Sequence, residues 1–171
     1  VFFGIFTMLY SLPVLSKRKN LRSVSGVKIF IIALVWAGVT VILPVASANL
    51  KLDIFILVEF LQRFLLVLVL ILPFEIRDLK YDLQELGTIP QKVGVTKTKI
   101  LGYFFLLLML VLESFKQNTS RTSWVAFLLM VLTAALFTWR SKERQSKYYA
   151  SFWVEGIPIL WLLILMTLKS L

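Results

Sequence analysis

The chain contains no cysteine and no histidine in its 171 residues. Those two absences exclude disulfides, thiol nucleophiles, imidazole general bases, haem ligation through either residue and zinc sites built from Cys and His. Any metal bound here has to be held by oxygen, which points to Mg²⁺, Mn²⁺ or Ca²⁺. Charge is scarce as well: Asp, Glu, Lys and Arg make up 16% of the residues, clustered between long apolar runs. The first of these runs is not expected to be a secretory signal, because it shows neither a basic leader nor a small-residue cleavage site. The sequence starts at Val1 inside an apolar stretch. The expectation is therefore a cut N-terminus and a C-terminal part of a longer protein.

What the chain has in excess is hydrophobicity. It is 59% hydrophobic with a mean hydropathy of +0.87, against roughly 45–50% apolar residues in soluble domains. This composition predicts an all-α, polytopic transmembrane helical bundle. At about 20 apolar residues per span, six candidate spans emerge: 1–15 (truncated), 29–48, 54–76, 100–115, 123–139 and 152–168. The formal net charge is +10. In a soluble protein that would suggest nucleic acid, but here topology accounts for it and no nucleic-acid partner is expected. Segments 16–28, 77–99 and 140–147 hold 14 of the 19 Lys and Arg residues. The positive-inside rule places those loops in the cytoplasm and the C-terminus on the opposite side. Trp124, Trp139, Tyr148, Tyr149 and Trp153 fall near span ends, where interfacial aromatic belts form.

Polar residues inside spans are few enough to name. Glu59 and Arg63 are spaced i,i+4 and read either as a self-neutralised pair facing the bundle or as part of a functional site. The pair is the favoured reading. Glu155 lies close to the cytoplasmic end of the last span, Glu113 reads as interfacial, and Trp36 reads as packing.

The most informative stretch is Phe74-Glu75-Ile76-Arg77-Asp78-Leu79-Lys80-Tyr81-Asp82, where an apolar helix leaves the membrane. At about 100° per residue, Glu75, Asp78 and Asp82 share one helical face. Grouped carboxylates repel and raise one another's pKa unless a cation sits between them. Mg²⁺ would relieve that repulsion, and it binds through one or two carboxylates plus substrate phosphates. The plainer reading is a solvated helix end in which the carboxylates pair with Arg77 and Lys80.

Arg77-Asp78-Leu79-Lys80-Tyr81-Asp82, then Gly87-Thr88-Ile89-Pro90 and Gly94, resembles the second aspartate motif of the UbiA superfamily of intramembrane prenyltransferases. Asp78 and Asp82 match the Asp pair, Thr88 and Pro90 the following turn, and Ile89 stands where Leu is common. Upstream, Tyr10-Ser11-Leu12-Pro13 with Lys17 and Arg18 is similar to the family's Tyr-Ser-x-Pro segment and its basic loop. The resemblance covers residues 1–171 as the C-terminal part of a single domain of about nine helices. The family's first motif, Asn-x-x-x-Asp-x-x-x-Asp, is absent, so the chain alone is expected to be inactive.

The resemblance implies Mg²⁺-dependent (or Mn²⁺-dependent) transfer of an isoprenyl group from an allylic diphosphate to a lipophilic acceptor, with an aromatic one expected. It makes Asp78 and Asp82 the metal-binding catalytic residues and Lys17, Arg18, Arg77 and Lys80 the diphosphate contacts. Tyr10 and Tyr81 become pocket residues by position. Lys17 and Arg18 have an equally good reading as topology determinants only. Two alternatives stand beside the enzyme: a transporter or channel subunit using Glu59, Arg63 and Glu155 as a charge relay, and a non-catalytic family member.

Overall fold

Five apolar runs become five long helices in the computed structural model, which describes residues 26–81, 87–116, 119–146 and 148–170. They are α1 (Lys28–Ser47), α2 (Ile54–Asp78), α3 (Ile89–Ser114), α4 (Arg121–Arg140) and α5 (Tyr149–Ser170), and each is long and apolar enough to cross a membrane. There is no strand among the described residues. The described residues thus form an all-α bundle of five such helices. The sixth expected span, 1–15, lies outside the described residues, as do Tyr10, Lys17, Arg18 and Asp82.

Asp53 starts α2 by accepting a hydrogen bond from the Ile56 N–H at 2.8 Å, which satisfies one of the first-turn donors that a helix leaves unpaired. Helix α2 is the centre of the bundle and packs against α1, α3, α4 and the first turn of α5. Its buried run of Leu65, Leu66, Leu68, Val69, Leu70 and Leu72 covers more than one face, as a helix surrounded by others requires. On one side Leu68 meets Ile29 and Ala33 of α1. Ala33 and Ala37 are fully buried, and their small side chains let the two backbones approach. On the other side Leu65, Leu66 and Val69 join Leu106 and Met109 of α3 with Phe127, Met130 and Ala134 of α4. Gly102 of α3 sits where α2 and α4 converge. A Cβ there would lie 3.1 Å from both Leu72 Cδ1 and Thr138 Cγ2.

The outer surface stays apolar. Phe30, Trp36, Phe104, Leu107, Leu132 and Met166 are all exposed. In water such a surface would drive aggregation, whereas lipid tails solvate it. Trp36, which reads from sequence as a packing residue, faces outward among the described residues, 58% exposed.

Two helices carry π-helical turns. In α1 it spans Gly38–Ile42, just ahead of Pro44. Proline has no N–H for the carbonyl four residues back and its ring crowds that carbonyl, so the helix widens there. In α5 it spans Tyr149–Val154 and ends in the Glu155–Gly156 turn. A Cβ on Gly156 would come within 2.8 Å of the Phe152 carbonyl oxygen, so the turn needs glycine.

One boundary differs from expectation. Segment 77–99 reads from sequence as a long loop, but α2 runs to Asp78 and α3 begins at Ile89. Pro90 occupies the first turn of α3, where its missing N–H is harmless. The Thr88 N–H donates to Gln91 Oε1 at 3.0 Å, tying off the helix start. Gly94 kinks α3 instead of ending it.

Candidate functional site

Asp78 is the last residue of α2, and Arg77 holds it from the adjacent position. Arg77 Nε donates to Asp78 Oδ1 at 2.7 Å and Nη2 donates to Oδ2 at 3.0 Å, a two-point grip on both carboxylate oxygens. The guanidinium also stands over the Phe74 ring, 5.2 Å from its centroid, and Glu155 of α5 lies within its Coulombic range. Glu155 thus comes to the Asp78 end of the bundle, brought there by the π-helical turn that precedes it.

Two residues of the expected three-carboxylate face, Glu75 and Asp78, fall among the described residues. The α-helix stops at Asp78, Leu79 to Tyr81 form a turn, and Asp82 lies outside the described residues. Glu75 points into the bundle, 5% exposed, with its Oε1 3.6 Å from Lys28 Nζ of α1. No group of three or more acidic residues placed to hold a metal occurs among the described residues. Lys80 Nζ sits 4.5 Å over the Tyr81 ring centroid, and Tyr81 is 72% exposed. The structure therefore brings Arg77, Asp78, Lys80 and Tyr81 to one helix end, with Glu75 buried three residues earlier.

The segment after this end is shaped by the residues that carried the resemblance. Thr88 and Pro90 begin α3. Gly94 has φ 82° and ψ 163°, a conformation essentially restricted to glycine. Thr98 Oγ1 donates back to the Gly94 carbonyl at 2.8 Å and helps hold the kink. The 141–146 connection closes over the same end, with Gln145 Nε2 donating to the Pro73 carbonyl at 2.9 Å.

Oxygen chemistry at Asp78 fits a hard divalent ion. A carboxylate has about four lone-pair sites, and the Arg77 grip uses two of them. The side chain is 37% exposed, and Mg²⁺ needs only one or two protein carboxylates when phosphate oxygens complete its shell.

A second polar cluster lies at the other end of α2, where residue spacing alone points to a Glu59–Arg63 pair. Glu59 instead accepts from Lys116 Nζ at 2.6 Å. Lys116 also reaches Glu113 Oε2 at 2.9 Å, and Gln62 Nε2 donates to the same oxygen at 3.0 Å and to the Met109 carbonyl at 3.0 Å. Glu113, which reads from sequence as interfacial, is buried at 4% exposure. Arg63 turns to Trp161, 5.2 Å from the ring centroid. The signal that could have found this cluster is Lys116 itself, one of the few basic residues outside the basic loops.

Compared with known protein families, characterised proteins and solved structures, the chain matches none.

Proposed function

We propose that the chain is the second-motif part of a Mg²⁺-dependent intramembrane prenyltransferase, which moves an isoprenyl group from an allylic diphosphate to a lipophilic, aromatic acceptor. The observation supporting this reading most directly is the Asp78 carboxylate presented at a helix end in a two-point Arg77 grip. It opens onto a segment whose Thr88, Pro90 and Gly94 each have a defined backbone task. In this reading Asp78 and Asp82 would hold Mg²⁺. When bound, that ion supplies Lewis-acid stabilisation of the charge gathering on the departing diphosphate.

The chain's own residues do the rest. Arg77 fixes the Asp78 carboxylate, so its free lone pairs face a constant direction. Lys80, with Lys17 and Arg18, donates to diphosphate oxygens. As the allylic C–O bond breaks, its electron pair leaves with diphosphate and positive charge remains on carbon. The acceptor ring then forms the new carbon–carbon bond and loses a proton. Tyr81 and Tyr10 offer ring faces to that positive charge, and the apolar helix walls exclude the water that would quench it. Activity belongs to the protein that also carries the first aspartate motif, and the basic loops with the Asp78 end face the cytoplasm.

A charge relay through Glu59, Arg63 and Glu155 has less support. Glu155 is within Coulombic range of Arg77, about 27 Å along α2 from Glu59 at 1.5 Å per residue, and residues 64–74 between them are apolar. The test is substitution at the grip. Arg77→Lys keeps the charge but loses the fork, so a higher Mg²⁺ requirement and a roughly tenfold slower transfer are expected. Unchanged rate and Mg²⁺ dependence in Arg77→Lys would remove the grip from the mechanism.

A further inference from the structure

The cluster at the Glu59 end of α2 opens into a cavity of about 390 Å³ between α2, α3, α4 and α5. That is within the range of about 300–1,000 Å³ typical of small-molecule sites. Glu59, Glu113, Lys116, Ser123, Trp161 and Lys169 are among its lining residues. We infer that this cavity binds the headgroup of a zwitterionic, amine-bearing membrane phospholipid, with the ammonium at Glu59 and the phosphate at Lys169.

The wall carries Glu59 and Glu113 with Lys116 and Lys169, and Arg63 lies within Coulombic range of Glu59 beside it. Glu113 is satisfied internally by Lys116 and Gln62, and Lys116 is shared between two carboxylates. Glu59 uses one oxygen, Oε1, on Lys116. Its other oxygen has no hydrogen-bond partner among the described residues, and the side chain is 47% exposed. Across the cavity, Lys169 of α5 has no ion-pair partner among the described residues. One cavity thus holds an acceptor with a free oxygen and a lysine without an ion-pair partner among the described residues, which suits a ligand carrying both signs.

The aromatic residues narrow the choice of cation. A quaternary ammonium is held by free aromatic faces. Here the Trp161 face carries Arg63 at 5.2 Å and Phe127 has Lys116 at 6.0 Å. A primary ammonium needs no ring, only an acceptor, and Glu59 supplies it. A second, narrow slot shares Glu59, Phe127 and Trp161 with this cavity and is lined also by Gln62 and Arg63. The outer faces of α4 and α5 are apolar, as the acyl chains of a bilayer lipid need.

The test uses the full chain in nanodiscs holding equal parts of phosphatidylethanolamine, phosphatidylcholine and phosphatidylglycerol with identical acyl chains. Lipid retained on release is read by native mass spectrometry. The expected result is enrichment of the ethanolamine lipid. Glu59→Gln and Lys169→Gln should each lower that enrichment by roughly tenfold, the effect of losing one charge-assisted hydrogen bond. Glu143→Gln, exposed in the 141–146 connection, should leave it unchanged. Water-soluble glycerophosphoethanolamine at equal concentration should not displace the lipid, which separates a bilayer source from a free one. Equal retention of the three lipids, preference for the glycerol headgroup, enrichment unaffected by both wall variants, or displacement by the soluble headgroup would each overturn the assignment.

Discussion

Lys116 shows most clearly how single residues carry energy in this bundle. Its ammonium is 13% exposed and holds Glu59 and the buried Glu113 together. Removing one partner of a buried ion pair leaves an uncompensated charge, a loss of about 3–5 kcal/mol in soluble proteins. Membrane hydrogen bonds measured by double-mutant cycles are weaker, averaging about 0.6 kcal/mol, so most of the loss comes from stranding the Glu113 carboxylate. Lys116→Met is therefore expected to lower the thermal midpoint of the detergent-solubilised protein markedly, and adding Glu113→Gln should restore most of the loss. Equal destabilisation in the single and double variants would show that Glu113 does not depend on Lys116. None of this is legible from the pair spacing of Glu59 and Arg63. The i,i+4 rule describes an isolated helix face; Arg63 stays within Coulombic range of Glu59, but a lysine 57 positions away along the chain makes the close ion pair. The same limit governs Glu75. Its helical phase relative to Asp78 is readable, but Lys28, which draws it inward, sits on another helix.

At the level of elements, hydrophobicity alone locates four of the five described helices to within about two or three residues, because long apolar runs admit few other structures in lipid. It fails at the start of α3. There Lys92, Lys97 and Lys99 break the apolar run while the backbone stays helical, since lysines on a helix that extends past the hydrocarbon are solvated. Lys99 does more than extend into water: its Nζ donates to the Trp139 carbonyl at 2.7 Å and caps the end of α4. Gly94 is legible as a turn signal and is a kink, with φ 82° and ψ 163°. An alanine held in that region is strained by about 1–3 kcal/mol. Gly94→Ala is expected to lower the thermal midpoint and to re-aim Ile89–Val93 relative to Asp78, so transfer activity should fall further than stability does. Parallel loss of the two would reduce Gly94 to a purely structural role. An unchanged midpoint would show that the kink is not needed.

For the whole molecule, the lack of cysteine makes topology directly measurable. Single cysteines at Leu50, in the exposed turn between α1 and α2, and at Glu143, in the 141–146 connection, lie at opposite ends of the bundle. In intact cells a membrane-impermeant thiol reagent is expected to label Leu50→Cys and spare Glu143→Cys, because the basic loops belong inside. The reverse pattern would invert the orientation and put Asp78 outside. The five described helices follow from composition, and the sixth expected span lies outside the described residues. The Glu59 cavity does not follow from composition, because it is assembled from four helices that are distant in sequence. The proposed activity rests above all on Asp78, with Asp82, serving a metal-dependent prenyl transfer. It is tested by incorporation of a labelled prenyl group from its diphosphate into a lipid-extractable acceptor, using the protein that carries both aspartate motifs. Transfer is expected with Mg²⁺ or Mn²⁺, to stop on chelation, and to be nearly abolished in Asp78→Asn/Asp82→Asn with expression intact. Transfer that persists in that double variant, or an absence of any metal-dependent transfer by the two-motif protein, would refute the assignment.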